Sequence, residues 1–359
     1  MTERILKNEE KAILSLRALY RRYGYLPYKM SKFEGYDLYV RHKDFLVGDR
    51  VITFNDTNGK LLALKPDVTL SIVKNGSGEP LQKVYYNENV YRVSDSTHRF
   101  KEIMQAGLEC IGEIDLYQTY EVVALAAESL GVISEDHVLE VGHLGILSAV
   151  LEEACADRDF QNRARALLSQ KNEHDLVRLC GEYGVSGENT GRLRRLIGAA
   201  GERREVLDRI APLCERGAAK EAYDELCRLS AMLDGHADAR RIRFDFSVGG
   251  DAGYYSGIVC KGFLSGVSAA VLAGGRYDNL MKKMGRKEGA IGFALYLDLL
   301  EQIAVSDRRT DVDVLLLYGE NDAPEKVAGR VKELTAAGKT VRVQKQRPVR
   351  LRRGEEEQC

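Results

Sequence analysis

From residue 91 to 109 the chain reads YRVSDSTHRFKEIMQAGLE, and from Arg99 onward its side chains alternate with a period of two. One set is Arg99, Lys101, Ile103, Gln105, Gly107 and Glu109; the other is Phe100, Glu102, Met104, Ala106, Leu108 and Cys110. Such alternation predicts a half-buried antiparallel strand with one polar and one apolar face. Gly107 interrupts the polar set between an amide and a carboxylate and lets another group approach the backbone. Gln105, Glu109 and an arginine around a bare glycine form a candidate floor for a small zwitterion. An exposed sheet face with ordinary polar residues fits the same pattern equally well.

A helical spacing governs residues 9–23, where Ile13, Leu16, Leu19 and Tyr20 form a stripe that Gly24 ends. Residues 28–114 alternate short β-like runs with turn signals at 55–59 and 75–80. A helix is predicted over 116–130, with Gly131 as its stop, and a strand over 138–141. Between 145 and 238 the composition shifts to Ala, Leu, Arg and Glu, with stripes such as Leu193, Leu196, Ile197 and Tyr223, Leu226, Leu229. That segment predicts a helical insertion with its arginines on solvated faces. Strand signals return at 242–248 and 254–263. AVLAGGRYDNLMKKMG predicts a strand, a glycine-rich turn and an amphipathic start; AIGFALYLDLLEQIA predicts a helix. Residues 311–345 predict a strand–helix–strand unit, the opening of a small α/β domain, and the basic-then-acidic tail 346–359 predicts disorder. The fold class is α+β, with residues 1–305 as the main domain.

Composition narrows the partners. Lys+Arg 53 against Asp+Glu 54 leaves a formal charge of -1, without the basic excess that nucleic-acid or membrane surfaces demand. The seven cysteines, at 110, 155, 180, 214, 227, 260 and 359, include no CxxC pair and suit free thiols. The histidines show no metal-like grouping, and His143 reads as a satisfied structural imidazole. A charged N-terminus without a signal-peptide core, and no run of membrane-spanning length, predict a cytoplasmic chain. No metal or cofactor is expected.

Six segments carry a resemblance in order and spacing: LALKPDVT (62–69), VYYNENVYRV, RFKEIMQAGLECIG, GYYSGIVCKGF, GGRYDNL and AIGFALYLDLL. Together they resemble the catalytic core of class II aminoacyl-tRNA synthetases, specifically the histidyl enzyme and its paralogue, the regulatory subunit of ATP phosphoribosyltransferase. The resemblance covers about residues 5–305 and is weakest through the helical insertion. It implies a six- or seven-stranded, mostly antiparallel sheet flanked by helices. It also implies a dimer built through the N-terminal helix and RRYGYLPYKMSKFE, and it makes the 311–345 unit the start of an anticodon-binding domain.

Departures from that pattern are specific. Activating an amino acid with ATP develops charge on the α-phosphate, which preset arginines stabilise. In the histidyl enzyme one arginine precedes the paired tyrosines by four residues; here Gly250 stands there, before Tyr254 and Tyr255. Another follows GFAxGLE; here Leu299 takes its place. Each such loss reduces rate about 100- to 1,000-fold. The resemblance therefore implies a scaffold without adenylation chemistry or catalytic residues, and with tRNA an unlikely partner. It implies that Asp67, Thr69 and Gln105 meet the α-ammonium group of free histidine, with Arg92 on its carboxylate. Glu109 and Tyr255 would take the imidazole nitrogens, Tyr254 would lie beside the ring, and Arg99 is a candidate residual anion or nucleotide contact. The implied role is that of a non-catalytic regulatory subunit, required by a short catalytic ATP phosphoribosyltransferase subunit in a hetero-octamer and mediating feedback inhibition by histidine. An active histidyl-tRNA synthetase and a free-standing histidine-binding or tRNA-sensing module stay open alternatives.

Overall fold

Helix α1 (Asn8–Arg22) follows its stripe: Ala12, Leu16, Leu19 and Tyr20 are buried, while Glu9 and Glu10 sit in the first turn and Arg21 and Arg22 in the last. Those charges complement the helix dipole, and Gly24 at φ +80° turns the chain away. The computed structural model describes residues 6–41, 51–76, 78–93, 98–248, 254–302, 311–348 and 353–358. It divides into two compact units, Met1–Ile303 and Ala304–Cys359.

In the first unit α1 is followed by β1 (Leu26–Pro27), β2 (Phe33–Gly35), α2 (Tyr36–Arg41), β3 (Thr53–Asn55) and β4 (Leu61–Leu64). β2, β4 and β3 make a small antiparallel sheet in that order. After α3 (Thr69–Lys74), the long hairpin β5 (Leu81–Val93) and β6 (Phe100–Gly112) pairs along its whole length, with Tyr86 opposite Gly107 and Val84 opposite Glu109. Helix α4 (Leu116–Ile133) runs past Gly131, the expected stop. Its start is capped by Asp115, whose carboxylate accepts from the backbone N–H of Tyr117 at 2.6 Å and Gln118 at 3.2 Å.

β7 (His137–His143) leads into the insertion: α5 (Leu144–Ala154), α6 (Arg158–Ser169), α7 (Glu173–Glu182), α8 (Gly187–Ile197), the two-residue β8 (Ala200–Gly201), α9 (Arg203–Ile210) and α10 (Gly217–Leu233). His143 is structural here: its Nδ1 accepts from the Gly145 N–H at 3.0 Å and its Nε2 lies 3.3 Å from Glu225. The chain returns through β9 (Ile242–Asp245), β10 (Ile258–Leu264), β11 (Leu272–Arg276), α11 (Asp278–Lys283) and β12 (Gly289–Tyr296).

Nine strands form the main sheet in the order β1-β5-β6-β12-β11-β10-β7-β9-β8. Among the described residues of this sheet, only β1/β5 and β7/β9 pair in parallel. The expected six or seven strands correspond to the seven longer ones; β1 and β8 are two-residue edges. One sheet face packs against α1 and α4 through Leu108, Cys110, Val123 and Ala127; the other carries α3 and α11 through Leu70, Ile72, Leu280 and Met281.

Two expectations fail in this region. Gly274 and Gly275 belong to β11 and make no turn. A Cβ on Gly274 would stand 2.4 Å from the Gly292 carbonyl oxygen, and one on Gly275 2.5 Å from that of Ile258, so neighbouring strands close over both positions. AIGFALYLDLLEQIA begins as strand β12, not helix, and only Leu297–Gln302 turns, as a 3₁₀ segment. A short apolar run does not distinguish the two states, and pairing with β6 and β11 on both sides decides for strand.

The second unit consists of β13 (Val312–Leu317), α12 (Pro324–Ala336), β14 (Val341–Gln344) and β15 (Arg353–Gln358), with parallel strands in the order β14-β13-β15. β15 lies in the tail expected to be disordered. Its acidic run is matched by cations: Glu355 with Lys339 at 2.7 Å, Glu356 with Arg347 at 2.6 Å, and Glu357 with Arg330 at 3.0 Å. Counter-charges brought in from α12 and the neighbouring loops offset the self-repulsion that favours disorder.

Candidate functional site

Of the two readings of β6, an exposed polar face and a covered floor, the structure has the covered one. Gln105 is 3% exposed and Glu109 2%, whereas Phe100, on the alternate apolar set, is 73% exposed. The space left by Gly107 is taken from within the protein: a Cβ there would lie 2.6 Å from the Tyr86 hydroxyl and 2.3 Å from the Phe293 carbonyl oxygen. Glycine at 107 therefore seats Tyr86 on the sheet.

Above this face stands the first turn of α3. Asp67 holds it, its Oδ1 accepting from the Leu70 N–H at 2.8 Å. That turn aims Thr69 at the sheet, where its hydroxyl donates to Glu109 Oε1 at 2.7 Å. The Tyr277 hydroxyl donates to the other oxygen of Glu109. Gly292 lies directly across the strand pair from Glu109, and a Cβ there would overlap that same oxygen. Burial pushes Glu109 up to about 8; the hydroxyls of Tyr277 and Thr69 oppose that shift and the neighbouring Asp67 adds to it. Burial also raises Asp67, against the Leu70 N–H and the Arg92 charge.

Arg92 is anchored by its Nε, which donates to the Pro66 carbonyl at 3.0 Å. Among the described residues its outer nitrogens make no hydrogen bond or ion pair, and neither does the Gln105 amide. Tyr254 packs edge-on against Tyr255 with ring centroids 4.8 Å apart, and 5.9 Å from Tyr277. All seven expected ligand residues, Asp67, Thr69, Arg92, Gln105, Glu109, Tyr254 and Tyr255, line one cavity. Arg99 does not: it is exposed just before β6. Leu299 is half-buried against the main core, while Gly250 lies outside the described residues. Among the described residues no cluster of His, Cys, Asp and Glu is placed to hold a metal ion.

Sequence reasoning missed Tyr86, Tyr277, Gly292 and Tyr296, which line the same cavity. Tyr277 stood inside the segment GGRYDNL and Gly292 inside AIGFALYLDLL, so both were within reach. Tyr86 requires the register that sets it opposite Gly107. Chemically the cavity offers a guanidinium fork, two carboxyl groups, an amide and several hydroxyls within an aromatic wall. That set is complementary to a zwitterion with a small nitrogen-bearing ring.

A mostly antiparallel sheet with this cavity under a short helix defines a class II aminoacyl-tRNA synthetase-like protein. The sequence profile described as histidyl-tRNA synthetase matches residues 2–300. A protein of Thermoanaerobacter sp. (strain X514) named ATP phosphoribosyltransferase regulatory subunit is 31% identical over 328 residues, 88% of this chain and 83% of its own. Two solved structures share the fold. One, from Bacillus halodurans C, is described as an ATP phosphoribosyltransferase regulatory subunit/histidyl-tRNA synthetase and superposes with a TM-score of 0.77 at 22% identity, covering 98% of this chain and 94% of that one. The other, an ATP phosphoribosyl transferase complex from Thermotoga maritima, gives 0.63 at 21% identity, covering 80% and 97%. The chain belongs to the histidyl-tRNA synthetase family, in the branch of the ATP phosphoribosyltransferase regulatory subunits.

Proposed function

We propose that this chain is the regulatory partner of a short catalytic ATP phosphoribosyltransferase subunit, required for that subunit's activity in the first step of histidine biosynthesis. It contributes no catalytic residue, and its cavity binds free histidine as the feedback inhibitor. The observation that carries the ligand assignment is the pair of unmatched groups in the cavity. The Gln105 amide and the outer N–H groups of Arg92 have no hydrogen-bond partner among the described residues and line the cavity beside two carboxyl groups, where a ligand can reach them.

In this reading Arg92 takes the ligand carboxylate end-on, since its Nε is committed to Pro66. Gln105 and the second oxygen of Asp67 take the α-ammonium group. Thr69 donates to Glu109, so it meets the ammonium as an acceptor and ties the two ends of the site together. Glu109 and Tyr255 hold the imidazole nitrogens, with Tyr254 beside the ring. Regulation further requires that histidine bind two states of the assembly unequally, a coupling of about 1–3 kcal/mol. A self-dimer through α1 and residues 21–34, a hetero-octamer with the catalytic subunit and a cytoplasmic setting complete the proposal.

The test has two arms. Activity of the short catalytic subunit is measured with and without this chain, then with added histidine; activation followed by inhibition is expected. Calorimetric titration with histidine is repeated on Glu109→Ala and Arg92→Ala, and heats unaltered in both variants would overturn the site assignment. ATP–pyrophosphate exchange by the purified chain alone would return it to the synthetases.

A further inference from the structure

Strand register lays three rows of side chains across the cavity face, and they differ. Val84, Glu109, Gly292 and Gly275 form the first; Tyr86, Gly107, Ala294 and Ala273 form the second. Both leave a low floor, because β12 and β11 contribute only glycine and alanine. The third row is Glu88, Gln105 and Tyr296, and there β12 turns from small residues to an aromatic ring. Tyr296 occupies the place of the second glycine in the GFAxGLE pattern, and it lines the cavity.

The row is braced from behind. Glu88 accepts from Lys65 Nζ at 2.9 Å and, through its other oxygen, from the Met30 N–H at 3.5 Å. Lys65 is fully buried, so its charge is committed to Glu88 and does not reach outward to a phosphoryl group. It immediately precedes Pro66, whose carbonyl anchors Arg92. Arg92 stands on β5 two cavity-face positions beyond Glu88, so a ligand with its carboxylate at Arg92 and its ammonium at Gln105 places any group joined to that carboxylate beside this row.

We propose that Glu88, Gln105 and Tyr296 form a stop that confines the cavity to a free amino acid and excludes carboxyl-extended forms such as an acyl-adenylate. The inference rests on the histidine reading of the site. Its physical content is steric: a tyrosine ring stands where a glycine would leave the sheet open.

Two probes test it by calorimetry, L-histidine and the non-hydrolysable histidyl-sulfamoyl adenosine, on the unaltered chain and on Tyr296→Gly. Tyr296→Ala serves if glycine in the strand prevents folding, and thermal melting establishes that each variant is folded. The unaltered chain is expected to bind histidine about 100-fold more tightly than the analogue, and either variant to narrow that ratio about tenfold or more. Equal affinity of the unaltered chain for both probes overturns the stop while leaving the histidine reading intact. A ratio unchanged in a folded variant overturns it as well. Failure of the unaltered chain to bind histidine overturns the functional reading and the stop with it.

Discussion

Two buried polar clusters sit on opposite faces of the same hairpin, and only one of them is complete. On the face toward α1 and α4, Lys83 pairs with Glu121 at 2.6 Å, donates to the Tyr23 carbonyl at 2.8 Å and lies 4.7 Å from the centre of the Tyr25 ring. Tyr25 donates to the same glutamate at 3.1 Å. Donors and acceptors there answer one another. On the opposite face, one strand position away, Glu109 is satisfied by Thr69 and Tyr277, while among the described residues Gln105 and the outer nitrogens of Arg92 have no hydrogen-bond partner. A closed cluster joins elements of the fold; an open one that lines a cavity leaves its donors free for the proposed ligand.

The contrast can be broken from either side. Glu121→Ala strands a largely buried lysine and should lower unfolding free energy by about 3 kcal/mol, read by denaturant melts. Arg92→Ala should instead leave the melt nearly unaltered and weaken histidine binding about 100-fold, about 2.7 kcal/mol, by calorimetry. A large loss of stability in that variant would mean that the open cluster also holds the fold.

Glu109 adds a dependence on pH. Its carboxyl loses its proton at about 4.3 in an unfolded chain but only at about 8 in the fold. Between those values the folded state binds the extra proton, so stability should fall as pH rises, by at most about 1.4 kcal/mol per pH unit. Glu109→Gln should flatten that slope, and parallel slopes from pH 5 to 8 in the two chains would place the buried charge elsewhere. The smallest effect is sought in Gln105→Leu. Replacing an unmatched buried amide with an apolar side chain should shift stability by no more than about 0.5 kcal/mol while weakening histidine binding about tenfold. A marked destabilisation would reveal a partner for Gln105 inside the protein.

What the chain alone determined is what lies in short-range pattern and motif. The 3.6-residue stripes laid out α1 and the helices of the insertion, and the period of two found β6, because one turn or one strand pair is enough to express them. The six segments in order supplied seven residues that line one cavity. Tertiary structure decided the rest. It put Gly274 and Gly275 inside a strand, held AIGFALY flat between two neighbours and drew the acidic tail into a parallel sheet against distant lysine and arginine. It also covered the polar face of β6 and brought Tyr277 to Glu109 across 168 residues of chain. Burial and register are properties of facing strands, so no local period along one strand can express which side chain lies opposite or what closes over it.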